Sequence, residues 1–265
     1  MFARLFGILG ILALTVWFPL DAGAQQVAAD GDGLTLTVDG AGDGQLSSTI
    51  KIVLLMTVLT LAPSVVVLTT SFTRMLIVLG FLRQALGTHS TPSNQILAGM
   101  SLFLSVIVMT PVFEQMNTVA IQPYLEAQEI VDGAPRGGMT DAEAIEAAMV
   151  PLRQFMLAQT REKDLDLFLE LNRMERPEDL DTVPMSVVVP SFLISELKTA
   201  FQMGFMLYLP FLIVDMVVAS VLMSMGMMML PPILVSLPFK ILLFVLVDGW
   251  HLITRTLVTA FHMPF

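Results

Sequence analysis

Ile50–Leu82 is a long apolar run broken by Pro63 and by Arg74. As one straight helix it would extend about 48 Å at 1.5 Å per residue, well past a hydrocarbon core of about 30 Å. Such a run must bend, tilt strongly or leave the bilayer, and Pro63 is the expected bend. The pattern recurs. Ile96–Phe113 is apolar and ends near Pro111, Val187–Leu230 carries Pro190 and Pro210, and Pro238 lies within Ile233–Val247. A last apolar segment, Trp250–Phe261, opens on a tryptophan suited to a membrane interface. Spans bathed in lipid rarely hold so many prolines and charges. Spans packed against protein or lining a water path do.

The whole composition points the same way. The chain is 55% hydrophobic and 14% charged, with a mean hydropathy of +0.79, against about 25% charge in a soluble domain. One core cannot hide that much apolar surface, so an all-α integral membrane protein is expected. The net charge of −10 excludes nucleic acid as a natural partner. The absence of cysteine excludes disulfides, thiolate metal sites and cysteine nucleophiles.

Residues 1–24 read as a signal peptide. Arg4 provides the positive start, Leu5–Phe18 the apolar stretch, and Ala22-Gly23-Ala24 the small-residue pattern for cleavage between Ala24 and Gln25. The alternative is an uncleaved first span, for which the apolar stretch is short. Residues 25–49 form a flexible, Gly- and Asp-rich segment expected on the far side of the membrane. Residues 50–113 make a first helical hairpin. Residues 114–184 form an acidic helical domain, and 185–265 a C-terminal hairpin with a Met-rich loop.

Between Glu114 and Asp181 there are fifteen acidic and six basic residues, most of the chain's net negative charge. Lys and Arg favour cytoplasmic loops, so a net-acidic insert fits the periplasmic side. Within it, Thr140 and Glu143 form a capping box, and Leu165, Phe168, Leu169 and Asn172 follow helical spacing. Two amphipathic helices are expected, punctuated by Pro151 and Pro177.

No H-E-x-x-H, G-x-S-x-G or phosphate-binding loop is present, and His89, His251 and His262 lack ligand spacing. No cofactor is expected, and the chain reads as a non-enzyme. What stands out is charge in apolar surroundings: Glu196, Lys198, Asp215, Lys240, Asp248 and Arg255. Each would cost about 2.5–3.5 kcal/mol at the centre of a span. Glu196 and Lys198 are two apart on one helix and cannot satisfy each other, so each needs a partner from another helix or subunit. Snorkelling to a membrane surface is the simpler reading for Lys198, Lys240 and Arg255.

Five of the eight residues Met223–Leu230 are methionine, with Gly226 within the run and Pro231-Pro232 after it as hinge and stop. Methionine repacks around irregular shapes. Composition alone favours an ordinary buried or lipid-facing helix that uses Met in place of Leu.

Several motifs carry a resemblance: Val189-Pro190-Ser191-Phe192, Ser195–Gln202, Phe211–Asp215, Ala219–Pro232, Leu237–Lys240 and Val247–Trp250. Together they resemble the FliP/SctR family of type III export-gate proteins across roughly Ile50–Phe261. The signal peptide favours the flagellar branch over the virulence injectisome branch.

The resemblance implies five self-associated copies with FliQ and FliR in a helical, cone-shaped channel in the bacterial inner membrane, at the flagellar basal body, with much of its mass toward the periplasm. FlhB and FlhA act beside it, and unfolded flagellar subunits pass through. It also reverses the reading of the methionines. Met225, Met227, Met228 and Met229 become a gasket facing the lumen, with Gly226 and Pro231-Pro232 shaping it. A greasy constriction blocks ions by dewetting, and soft thioethers yield to a passing chain. The resemblance further gives Phe155, Phe168 and Glu196 to subunit assembly. Lys198, Asp215, Lys240, Asp248 and Arg255 become buried or lumenal charges, with intramolecular pairing an open alternative. A small-solute permease would need internal repeats, and none is visible. An intramembrane hydrolase built on Asp215 and Asp248 lacks any accompanying motif.

Overall fold

The computed structural model describes residues 44–88, 90–127, 130–131, 134–135, 139–177, 179–227 and 230–262. The signal peptide with its Ala24–Gln25 site, most of the 25–49 segment, His89, Met228 and Met229 lie outside them. Residues up to Val66 and those from Val67 onward are two separate units. Helix α1 (Gly44–Thr69) runs past that boundary, and its part in the first unit exposes apolar side chains such as Leu54, Leu59 and Leu61. Thr57 and Thr60 turn their hydroxyls back onto carbonyls four residues earlier, which lets polar residues sit on an apolar helix.

Among the described residues the fold is helical, apart from a two-residue antiparallel ladder, Ile130–Val131 with Ala134–Pro135. The helix containing residue 63 runs unbroken. The interruption comes at Thr70-Ser71, after which α2 (Phe72–Ala85) starts. Its stripe Met75, Val78, Leu79 and Leu82 has the i, i+3, i+4, i+7 spacing of one buried face.

Helix α3 (Asn94–Met116) is capped by Ser93, whose side chain accepts from Ile96 N. It does not stop near Pro111. It continues through a π-helical turn (Asn117–Ile121) into α4 (Gln122–Ala127), and residues Asn94–Glu126 are long and apolar enough to cross a membrane. The helix therefore carries past residue 113, where the acidic region was expected to begin as a separate domain.

The expected capping box opens α5 (Asp141–Gln159), with both the Thr140 and Glu143 side-chain bonds formed. Pro151 is buried inside this helix instead of ending it. Helix α6 (Glu162–Leu171) buries Leu165 and Leu169 and exposes Glu162, Asp166 and Glu170. Asn172 closes it, donating from Nδ2 to the Phe168 carbonyl at 2.8 Å.

Helix α7 (Met185–Ser224) has 40 residues and runs through both Pro190 and Pro210. Its length of about 60 Å is twice the hydrocarbon thickness. A proline removes one backbone bond, and at Pro190 packing on one side holds the helix together across that gap. Gly204 lets α2 approach closely. A β-carbon on Gly204 would lie 2.4 Å from the Phe81 ring.

Pro231 and Pro232 do not stop α7. They open α8 (Pro232–Leu246), with Pro232 at its first turn, where a missing N–H costs nothing. A 65° bend separates α8 from α9 (Gly249–Thr259). Asp248 occupies the bend with φ 49°. The ring of Phe244 packs so closely on Gly249 that a β-carbon there would clash at 2.2 Å.

The core forms where α2 packs along α7, α3 lies against α2 and α5, and α5 and α6 cover the first half of α7. Phe155, Phe192, Met75 and Met109 are its largest fully buried apolar side chains besides leucines.

Candidate functional site: two ion pairs and a methionine-bearing helix end

The first half of α7 brings Glu196 onto the buried face toward α2. Arg74 meets it there, with Nε donating to Oε2 at 2.7 Å and Nη2 donating to Oε1. The two side chains are 3% and 0% exposed. A parallel two-bond fork of this kind is the strongest side-chain pairing open to a carboxylate. Glu196 is therefore satisfied inside the chain, by a helix more than a hundred residues away. Arg74 stood in the sequence only as an interruption of an apolar run, yet an ionisable group in such a place is itself the signal of a partner.

The second pair lies farther along α7. Lys240 of α8 donates to Asp215 Oδ2 at 2.6 Å, and Ser236 donates to Oδ1 at 2.5 Å. Lys240 is 3% exposed and Asp215 27%. Of the residues expected to hold buried or lumenal charge, these two fit the intramolecular alternative. Lys198, Asp248 and Arg255 do not belong with them: all three are exposed on this chain. Arg255 lines a shallow open groove with Trp250, His251 and Thr254.

Phe155, which the resemblance gives to subunit assembly, lies in the core of the chain. It is fully buried between Phe192, at 6.0 Å between ring centroids, and Phe261, at 6.3 Å. Phe168 is half-buried, packed at the edge of the core.

A second contact joins the acidic region to α7. Ser195 Oγ donates to Asp164 Oδ2 at 2.8 Å and accepts from Arg161 N at 3.0 Å. Arg161 continues to Gln202 Oε1 at 2.5 Å and Thr199 Oγ1 at 3.2 Å. The start of α6 is thus fixed to α7 by polar bonds.

The methionine end has a defined terminator. Gly226 takes φ +77°, its N–H bonds the Met223 carbonyl, and Met227 N–H bonds the Leu222 carbonyl. This pair of bonds is the Schellman ending of a helix, with glycine at the left-handed position. The stop that the sequence suggested for Pro231-Pro232 is therefore made earlier, by Gly226. Met223, Met225 and Met227 remain 62%, 67% and 40% exposed. So do Phe205, Met206, Ile213, Met216 and Val217 along the same half of α7. Only 6% of the most apolar window of α7 is buried within the chain. Such a surface is covered by lipid or by protein.

The acidic region has one clear electrostatic feature away from the spans. The Thr140 backbone N–H, and then its hydroxyl, hold the Glu143 carboxyl below its ordinary range.

The FliP family model matches residues 55–257, which include both ion pairs and the methionine run. The flagellar biosynthetic protein FliP of Bacillus subtilis is 52% identical over 216 residues, covering 82% of this chain and 93% of that protein. Its counterpart in Caulobacter vibrioides is 50% identical over 222 residues, covering 84% and 80%. That of Aquifex aeolicus is 42% identical over 222 residues, covering 83% and 89%. With two or three helical segments able to span a bilayer and a match of this extent, the chain belongs to the FliP family.

Proposed function

We propose that the chain is a core subunit of the flagellar type III export gate, a non-enzymatic channel through which unfolded flagellar proteins leave the cytoplasm. The observation that carries this reading is the bare apolar second half of α7, ending in exposed Met225 and Met227. A helix twice the bilayer thickness cannot be covered by lipid along its whole length. Sister copies and homologous partners supply the remaining cover.

In this reading five copies join with FliQ and FliR in a cone-shaped assembly, beside FlhB and FlhA. The assembly sits in the inner membrane at the basal body. The acidic helices α5 and α6 lie on the periplasmic side, delivered there behind the signal peptide. The methionine loop rings the lumen and closes it by dewetting. Thioether side chains deform around a passing chain where leucine would seal stiffly. Lys198, Asp248 and Arg255, exposed on the single chain, face neighbouring subunits or the lumen.

Co-expression with FliQ- and FliR-like partners tests the reading. One large complex stable in detergent is expected. Recovery of the chain only as a monomer would refute it.

A further inference from the structure

The segment after α9 is held by two separate elements of the core. The guanidinium of Arg74, already paired with Glu196, lies 3.9 Å from the centre of the Phe261 ring. Its Nη1 donates to the Ala260 carbonyl at 3.4 Å. The Phe261 ring also stacks with Phe155 of α5, at 20° between planes. One residue on, the His262 carbonyl accepts from Gln159 Nε2 at 2.5 Å. Gln159 is the last residue of α5 and is itself buried. Ala260, Phe261 and His262 therefore each make a specific contact, to α2, to α2 and α5 together, and to α5.

Helix α9 needs such help. It has 11 residues and buries only Gly249, Ile253 and Leu257, and helices this short are marginal without tertiary anchors. Its start is fixed by Phe244, whose ring meets Trp250 edge-on at 5.3 Å. Its C-cap is Ala260, in right-handed helical conformation, and not a left-handed glycine. In place of one, an apolar ring is set against a buried cation just past the last turn, an arrangement that strengthens as water is excluded. The same ring closes one side of the Arg74–Glu196 pair, where an entering water molecule would weaken the attraction between the charges.

We infer that Ala260–His262 is a clasp. Phe261 and Gln159 act as positioning residues that hold α9 on the core and keep the Arg74–Glu196 pair dry. Through the 65° bend the clasp also anchors α8, which leads back to the methionine loop. Through α5 the acidic region is thereby joined to the end of the chain as well as to α7. This inference concerns packing within the chain and stands independently of the export reading.

Amide hydrogen exchange on the full-length detergent-solubilised protein is the test. Phe261→Ala should accelerate exchange about tenfold or more in residues 250–259 and around Arg74, while residues 94–112 stay within about twofold of wild type. Phe261→Leu, which keeps an apolar side chain and loses the aromatic face, should preserve protection in α9 and raise exchange near Arg74 alone. Unchanged exchange in α9 with Phe261→Ala overturns the clasp. So does an equal rise in every helix, which would make the segment a general stability element. The chain has no cysteine, so Gln159→Cys with His262→Cys offers a check in the folded protein. A short bismaleimide should link the two within one chain, and failure to do so also overturns the inference.

Discussion

The two halves of α7 belong to one continuous helix and stand in opposite circumstances. From Met185 to Gly204 the helix buries Val187, Val188, Ser191, Phe192, Ser195, Glu196, Ala200 and Gly204. From Phe205 to Ser224 only Phe211 and Leu222 are buried. The bare half is the more hydrophobic, with 16 of its 20 residues apolar or aromatic against 11 of 20 in the packed half. The first half alternates large apolar groups with Ser, Ala and Gly, so a neighbouring helix can come close and a bidentate ion pair can be sealed in. The second half projects Phe205, Met206, Met216 and Val217 outward. Small residues beside a buried charge mark a face completed within the chain. Bulky flexible residues without such a pattern mark a face left for something else.

The ion pairs give the sharpest way to break that contrast. Glu196→Ala strands a fully buried guanidinium and should cost about 3–5 kcal/mol, read as a lowered thermal midpoint in detergent. Asp215→Ala, at a pair with one partly exposed member, should cost clearly less. Equal losses would erase the distinction between the halves. Replacing Arg74 and Glu196 together by Met and Leu should recover most of the loss, because the stranded charge is then gone.

Glycines sharpen it next. Gly204→Ala pushes a β-carbon into the Phe81 ring and should destabilise by about 1–3 kcal/mol. Gly226→Ala meets open space but a positive φ, for roughly 1 kcal/mol of backbone strain. Thermal midpoints of the two variants rank them. On the exposed half, Met206→Ala should change stability of the isolated chain by less than about 0.5 kcal/mol, yet lower the yield of assembled complex. A loss of monomer stability instead would place Met206 in the core.

The smallest effect is expected in the acidic region. Thr140 holds Glu143 below its ordinary titration range. A depressed folded-state value means that the stabilisation is complete above the unfolded titration range and is lost as pH falls through the lowered folded value. The gap in thermal midpoint between wild type and Thr140→Ala should therefore narrow on acidification. A gap independent of pH would assign the whole effect to the hydroxyl cap.

Several of these features were legible in the residues. The Thr140–Glu143 cap is a local rule, satisfied within four positions, and the structure forms it as read. The ionisable residues in apolar runs were visible as demanding partners, and Glu196, Asp215 and Lys240 have them. Which partner was not legible, because Arg74 and Glu196 are 122 positions apart and no local pattern links them. Prolines misled for a related reason. Pro111, Pro151, Pro190 and Pro210 weaken a helix locally, yet each lies inside a helix that continues past it. Pro231-Pro232 read as a stop because a proline ends the helix before it, and equally as a start because it favours a helix after it. The glycine at 226 decided between them. Phe155 was assigned to assembly by resemblance alone, and only the folded chain reveals the ring enclosed by Phe192 and Phe261.

The placement of the methionine loop is tested most directly by ion conductance of the assembled complex in a planar bilayer. Replacing Met227, Met228 and Met229 together by Ala should leave assembly intact and raise the resting leak. An intact complex whose conductance matches wild type would mean that these side chains do not close the lumen.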